Sequence, residues 1–287
     1  MSKVPFILLI ITLGYHSIYS QIEKPNVILL ADADKDNGID STRSSKIEIP
    51  NDYNLIWNDE FNSGASPNNE NWSFEYGFVR NEELQWYQKD NAYLKNGVLV
   101  LEGRKEKVVN PNYNSANHSW KTARKHAEYT SASINTKNKF SFKYGIIEVR
   151  AKIDTSKGMW PAIWTLGVSK KWPANGEIDL MEFYIHEGKQ KLLANAAWAN
   201  AKMEAVWDSE KIPFHTFLES EADWSAKFHI WKMDWTEEFI KLYIDGILIN
   251  EIDLKTTLNP DGFNPFHQEH YILLNLAIGS NGGDPST

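Results

Sequence analysis

The chain has 287 residues, 42% hydrophobic and 13% aromatic, which is enough apolar material for one large domain or two small ones. Asp and Glu outnumber Lys and Arg by 38 to 30, and an acidic chain of this kind is not expected to bind nucleic acid or an anionic membrane. The absence of cysteine excludes disulfides, thiol catalysis and attachment through a lipidated Cys.

The first twenty residues have the pattern of an export signal. A positively charged start, residues 1–3, precedes an apolar run over residues 4–15, which is too short to span a bilayer comfortably. We expect cleavage before Gln21, and hence a secreted or periplasmic protein. The alternative interpretation of the same run is a buried N-terminal strand.

Residues 21–52 form a polar stretch, which we interpret as an N-terminal arm or linker. Alternating Asp32, Asp34 and Asp36 resemble part of a calcium loop, but the twelve-residue spacing is broken and no Glu closes it. The sequence therefore predicts no metal site and no required cofactor, although a structural calcium ion is compatible with it. From residue 53 to 287 no change in composition marks a boundary, which indicates one domain.

Short alternating runs separated by turn residues dominate that domain. Residues 98–102 follow a Lys-Asn-Gly turn, residues 239–252 form a hairpin around Asp245-Gly246, and residues 146–153 and 271–278 are further strands. Many short strands with frequent turns predict an all-β sandwich or barrel. Only residues 218–228 suggest a short helix.

A cluster of acidic residues lies on one of the predicted strands, residues 175–183. Because side chains alternate along a strand, Glu177 and Asp179 share one face, and Glu182 falls on the other. One extra residue in a β-bulge, at Leu180 or Met181, returns Glu182 to the acidic face.

Three adjacent carboxylates repel one another, so at least one should stay protonated near neutral pH. A retaining glycosidase uses such a pair, with carboxyl groups about 5–5.5 Å apart: one carboxylate attacks the sugar and the other, protonated, assists departure of the leaving group. The alternative is a solvated acidic strand face. Trp160 and Trp164, just upstream, favour the glycosidase because aromatic rings form platforms for sugars.

At this point the chain resembles the family 16 glycoside hydrolases, over almost all of residues 55–285. The resemblance implies a concanavalin-like jelly-roll β-sandwich of two antiparallel sheets with the substrate cleft on the concave face. It also implies that Glu177 is the nucleophile, that Asp179 assists it and that Glu182 is the acid/base. The motifs that carry the resemblance are residues 57–61, 81–85, 144–148, 160–164 and 172–182.

The bulged spacing resembles the laminarinase-like branch, which also includes agarases and carrageenases. Asn81, Trp160, Trp164 and Trp198 match positions that line the cleft there. In two departures, Ser133 stands where laminarinases often have Arg, and Glu82 where they often have a second Asn.

We therefore expect a monomeric endo-acting enzyme for β-1,3- or mixed β-1,3-1,4-glucan. The alternatives are a β-galactanase of the agarase, porphyranase or carrageenase type, and a non-catalytic carbohydrate-binding sandwich. Sulfated galactans call for a basic cleft, and Arg and Lys are sparse near these motifs, which favours a neutral glucan. A binding module would need the tryptophan platform but not three aligned acids.

The last predicted strand, residues 271–278, leads into a turn over residues 279–287. Family members that resemble this chain continue into one more strand that closes the sheet. We therefore expect the catalytic domain, residues 53–287, to lack a C-terminal strand and to leave an unpaired edge. The alternative is that residues 21–52 fill that edge.

Overall fold

A computed structural model of the chain describes the backbone of residues 7–9 and 26–30 and the full residues 53–285. Its strands, in chain order, are β1 Ile7–Leu9, β2 Asn26–Leu30, β3 Asn54–Asp59, β4 Ser73–Phe74, β5 Gln85–Tyr87, β6 Ala92–Lys95, β7 Val98–Leu101, β8 Val108–Val109, β9 His126–Ala127, β10 Tyr129–Ser131, β11 Ser133–Asn135, β12 Gly145–Ala151, β13 Met159–Gly167, β14 Glu177–His186, β15 Lys189–Ala199, β16 Ala205–Pro213, β17 His229–Trp235, β18 Phe239–Ile244, β19 Ile247–Asp253 and β20 His270–Ile278.

Two large sheets contain most of these strands. One has the order β16-β15-β14-β13-β20-β11-β4, and its strand pairs are antiparallel. The other has the order β19-β18-β17-β12-β1-β7-β6, with β2 and β3 attached beside β12. The predicted all-β jelly-roll sandwich is confirmed, and we call the first sheet the cleft sheet because it carries the acidic residues.

The core lies between the two sheets and is rich in large rings. In β17 every second side chain is buried, so Trp231, Met233 and Trp235 pack inward. From the cleft sheet, Ile178 and Leu274 pack into the same cluster. Fully burying a side chain of this size contributes roughly 1.5–3 kcal/mol, so this core holds the cleft sheet as a rigid base for the site.

The predicted helix over residues 218–228 begins earlier and is interrupted. The structure has an α-helix, α2 His215–Ser220, which ends at Glu221, and a separate 3₁₀ turn at Trp224–Ala226. The break follows from the composition, because Ser and Asp residues compete with helical hydrogen bonding and two aromatic rings must turn inward. One other short helix, α1 Trp120–Ala123, lies in the loop region between β8 and β9.

The edge of β12 is paired with N-terminal backbone. Leu8 and Leu9 pair with Ala151 and Arg150, and the parallel strand β2 pairs with residues 146–149. The predicted cleavage point before Gln21 and the Asp residues at 32, 34 and 36 lie outside the described residues.

Candidate active site

A bulge in β14 brings the three acidic side chains to one face. Asp179 pairs with Asn195, and the next register pair on the same two strands is Glu182 with Leu193. Opposite β13 the register shifts at the same place. The extra residue thus lies at Leu180–Met181, as the sequence predicts, and both of these side chains pack into the core.

The register lays out the floor of the cleft in rows across the strands. One row runs Trp207, Ala197, Glu177, Leu166 and Tyr271. The next row places Ser209, Asn195, Asp179, Trp164 and Leu273 side by side. Neighbouring strands lie roughly 4.8 Å apart, so one sugar unit spans about one strand, and a polysaccharide crossing the strands would meet each row in turn.

Glu177 and Glu182 are held by different partners. The indole nitrogen Nε1 of Trp172 donates to Oε2 of Glu177 at 2.5 Å. Glu182 accepts from Trp160 Nε1 at 2.9 Å on Oε1 and from Asn195 Nδ2 at 3.0 Å on Oε2. These contacts fix the two carboxyl groups separately, which is what a pair with different roles requires.

Asp179 lies between the two glutamates and is almost fully buried, at 1% exposure. Asn195 Nδ2 donates to its Oδ2 at 3.2 Å, and its carboxyl group is also hydrogen-bonded to Glu177. Ser209 donates in turn to Oδ1 of Asn195, so the Asn195 amide is held in one orientation. This network fixes the central acid from the neighbouring strands.

Burial and mutual repulsion push the three acids to different protonation states. Burial, followed by repulsion from Glu177, raises the pKa of Glu182 to about 8. Burial and then the charges of Glu182 and Glu177 raise the pKa of Asp179 well above its usual range. Burial also raises the pKa of Glu177, but hydrogen bonds from Trp172 and Asp179 and the charge of Arg80 oppose the rise.

The favoured arrangement is therefore one ionised carboxylate, Glu177, and two protonated carboxyl groups, Asp179 and Glu182. Asp179 stays protonated and donates to the Glu177 carboxylate, because a hydrogen bond to the charged form stabilises that form. Glu182 is protonated at neutral pH because its pKa lies above it. The site thus has one ionised and two protonated carboxyl groups on one face of the cleft.

The predicted substrate-binding residues do not all face the cleft. Trp160 and Trp164 lie on its floor, with exposures of only 8% and 7%, so each offers an edge or part of one face. Asn81 is exposed, and its Nδ2 donates to Glu83 at 3.3 Å. Trp198 is placed differently from the prediction: it shares the core-facing side of β15 with Ala196 and packs near Phe266.

Four residues that the sequence analysis did not single out border the acids. Asn195 bridges Asp179 and Glu182, and Arg80 lies over Trp164. Trp172 and Trp207 are exposed by 53% and 45%; Trp172 is bonded to Glu177, and Trp207 lies in the same row two strands away. Alternation along β16 does not show which of its faces lines the cleft, so Trp207 is identified as a cleft residue only once the pairing of β16 with β15 is known.

The structure shows what surrounds the two residues that depart from the laminarinase pattern. Ser133 is buried in the same sheet, and its hydroxyl donates to Oε2 of Glu75 at 2.6 Å. Glu82 is exposed in a left-handed backbone conformation with φ of 53°, next to Asn81 with φ of 55°. Each departure is therefore part of the loop and carboxylate network around Arg80.

The described residues contain no group of three or more His, Asp or Glu side chains placed to hold a metal ion. Within the same part of the chain, no helix is long and apolar enough to cross a bilayer.

Comparison with known proteins identifies the family of the chain. The model of the glycosyl hydrolases family 16 matches residues 80–286. Glucan endo-1,3-beta-glucosidase A1 of Niallia circulans is 31% identical over 250 residues, which cover 79% of this chain and about a third, 34%, of that protein. Beta-glucanase of Rhodothermus marinus is 29% identical over 244 residues, covering 80% and 77% of the two chains.

A solved structure from work on endo-acting O-glycanases, which human gut bacteria express to initiate mucin breakdown, superposes with a TM-score of 0.71. It is 33% identical and covers 80% of this chain and 82% of its own. The fold, the bulged acidic strand and the match over residues 80–286 lead to one assignment. This chain belongs to glycoside hydrolase family 16.

Proposed function

We propose that this protein is a secreted, endo-acting retaining glycoside hydrolase that cleaves β-1,3- or mixed β-1,3-1,4-glucan. The observation that carries the proposal is the division of labour between two glutamates on one cleft face. Glu177 is partly exposed and held by Trp172, whereas Glu182 is buried between Trp160 and Asn195. A sandwich that only bound carbohydrate would not need three adjacent acids whose pKa values are raised to different extents.

In the proposed reaction, the Glu177 carboxylate attacks the anomeric carbon as Glu182 gives its proton to the departing glycosidic oxygen. The C–O bond of the polysaccharide breaks and an ester bond to Glu177 forms. Glu182, now ionised, takes a proton from water, which attacks the anomeric carbon and releases Glu177. Asp179 donates a hydrogen bond to the Glu177 carboxylate and so stabilises its negative charge before the attack.

The charge of the cleft favours a neutral polysaccharide. Five carboxyl groups surround the floor, and Arg80 is already paired with Glu75. A sulfate or carboxylate substituent would be repelled here. The glucanases among the relatives support a glucan, and export through residues 1–20 would bring the enzyme to such a polymer. The five carboxyl groups around the floor belong to Glu75, Glu83, Glu177, Asp179 and Glu182.

The second candidate function is cleavage of a β-galactoside-containing glycan. The observation that favours it is the similarity to keratan-sulfate endo-1,4-beta-galactosidase of Sphingobacterium multivorum, which is 27% identical over 235 residues, covering 80% of this chain and 50% of that protein. Ser133 and Glu82, the two departures from the laminarinase pattern, are consistent with a different sugar in the cleft. The two candidates share the catalytic residues and differ only in the sugar that the cleft accepts.

A substrate screen tests the proposal. We expect reducing ends to appear from laminarin or barley glucan, and not from agarose or mucin O-glycans. We also expect the first product to have the β configuration, because two displacements at one carbon each invert it. Proton NMR within the first minutes of reaction measures the anomer before mutarotation. Initial α-anomer would contradict the assigned pair of glutamates.

Trp207→Ala is expected to weaken binding of long oligosaccharides by about 1 kcal/mol, or roughly fivefold in Kd, which is typical of one aromatic contact. The ring is exposed on the cleft side of an edge strand, so its removal should leave the fold intact. Calorimetric titration of the inactive Glu177→Ala background measures the effect. Tyr113→Ala, which removes an exposed ring in a loop, is the matched control.

A further inference from the structure

Arg80 lies in the cleft without a role in the reaction described above. Its guanidinium carbon is 5.1 Å from the ring centroid of Trp164 and 5.8 Å from that of Tyr87. Its Nη2 is paired with Glu75, and its Nη1 is buried without a hydrogen-bond partner. Because Trp164 on β13 is the register partner of Asp179, Arg80 lies over the strand next to the acidic strand β14.

The backbone around Arg80 is fixed by contacts from two other parts of the chain, the loop at Arg124 and residues 278–280. Arg124 Nη2 donates to the carbonyl oxygen of Glu83 at 2.7 Å, and Ser280 Oγ donates to that of Asn81 at 2.8 Å. The amide of Leu84 donates to Ile278 at 2.9 Å.

Two consecutive non-glycine residues of this loop, Asn81 and Glu82, have left-handed backbone conformations. Such conformations are strained for non-glycine residues and persist where the surroundings impose them. The loop therefore holds Arg80 in one position.

The charge of Arg80 offsets a local excess of negative charge. Glu75 and Glu83 lie close to it, and the three acids of β14 lie on the adjoining floor. Its positive charge acts on Glu177, where it favours the carboxylate form. A guanidinium is suited to this place because it stays charged when buried and can stack on an aromatic face.

We propose that Arg80 is a positioning residue for the hydrolysis proposed above: it holds the Trp164 ring in the cleft floor and places a positive charge over the strand next to Glu177. The effect of Arg80 on catalysis rests on the function proposed above. The physical content of the inference, the influence of Arg80 on Glu177 and Trp164, is independent of the substrate. The role differs from that of a structural ion pair, which would stabilise the loop without affecting ionisation in the cleft.

The ionisation of Glu177 depends on several groups, and the test must keep the others in place. Asp179 and Glu182 face it from its own strand, and Trp172 donates to it from the preceding loop. Tyr184 and Tyr271 also interact with its charge, from the end of the same strand and from β20. Substitution at Arg80 changes none of these side chains.

The experiment compares the wild type with Arg80→Gln and Arg80→Lys. Carboxyl ¹³C NMR titration, assigned with Glu177→Gln, measures the pKa of Glu177 directly and does not depend on activity. Loss of the charge in Arg80→Gln should raise that pKa by about 0.5–1 unit. Arg80→Lys keeps the charge and should leave the pKa near its wild-type value.

The same variants are then assayed on an aryl β-glycoside with an activated leaving group and on oligosaccharides. Glu177 must be ionised to attack, so activity falls as pH drops through its pKa, and in Arg80→Gln the acid limb of kcat/KM should move to higher pH. Both variants should raise KM for oligosaccharides severalfold, because neither side chain stacks on Trp164 as a planar guanidinium does. Lys232→Gln, which breaks a 3.3 Å ion pair with Glu148 on the other sheet, is the control.

Equal Glu177 pKa values in the wild type and Arg80→Gln, with an unchanged KM, would overturn the inference. If Arg80→Gln does not fold, Glu75→Gln replaces it: the unpaired guanidinium should then lower the Glu177 pKa, and no change would count against the proposal. A wild type that hydrolyses no β-glycoside would instead refute the proposed function, while the titration would still decide the role of Arg80.

Discussion

Glu177→Ala should lower kcat on β-glucan by on the order of 10⁴-fold or more while the protein stays folded. The reason is chemical: without the carboxylate no glycosyl ester can form, and the remaining acids cannot take its place. Asp179 is protonated and 1% exposed, and Glu182 is required as the proton donor. The fold should survive because the side chain lies on the cleft face and the core behind it is untouched.

Azide provides a sharper readout than loss of rate. In Glu177→Ala the vacated space admits a small anion, which can displace the leaving group directly from an activated β-glycoside. One displacement inverts the anomeric carbon once, so the product should be an α-glycosyl azide. Glu219→Ala, at an exposed position in α2, should retain wild-type activity and show no azide product. Wild-type rates in a folded Glu177→Ala protein would contradict the assignment.

The acidic strand could be predicted from the sequence because its pattern is locally complete. Glu177 and Asp179 alternate with apolar neighbours, and the displaced spacing of Glu182 requires a bulge for all three acids to share a face. The bulge at Leu180–Met181 then follows from where the apolar residues must go. Strand period and burial suffice here, and no distant contact is needed.

The side of the sheet on which Trp198 lies could not be derived from strand alternation. In the segment Ala194 to Ala199 four of the six residues are alanines that occupy both faces of β15, so alternation does not distinguish the core side from the cleft side. The register places Asn195 on the cleft side and Trp198 on the core side, opposite to the position that the family resemblance implied. Only pairing with β14 resolves it.

Arg80 could not be identified as a site residue because it lies in a loop, and for the same reason the contact of Trp172, which begins the motif of residues 172–182, could not be predicted. Neither has a periodic pattern, and each approaches the acids through a turn whose path is set by tertiary contacts. The signal available in the sequence was weak: Arg80 directly precedes the motif that begins at Asn81. Its contact with Trp164 depends on how the loop folds over the cleft sheet.

Glu182→Gln should reduce kcat/KM on β-glucan by about 10²–10⁴-fold, because an amide cannot protonate the glycosidic oxygen. On aryl β-glycosides with activated leaving groups, formation of the glycosyl ester needs no such proton, so a pre-steady-state burst of aryl product should persist. Equal losses of that burst and of polysaccharide cleavage would argue against the acid role. Glu219→Gln is the matched control for the substitution.

The pH profile should change with the same substitution, and its direction follows from the pKa of Glu182, about 8. The protonated form is active, so wild-type kcat/KM on polysaccharide should fall as pH rises through that value. On activated aryl glycosides this basic limb should be weak in the wild type, because the leaving group needs little protonation, and absent in Glu182→Gln, where no titrating acid remains at that position. Azide should trap the glycosyl ester in Glu182→Ala and give a β-glycosyl azide, the product of two inversions. An α-azide from Glu182→Ala and a β-azide from Glu177→Ala would exchange the two assignments.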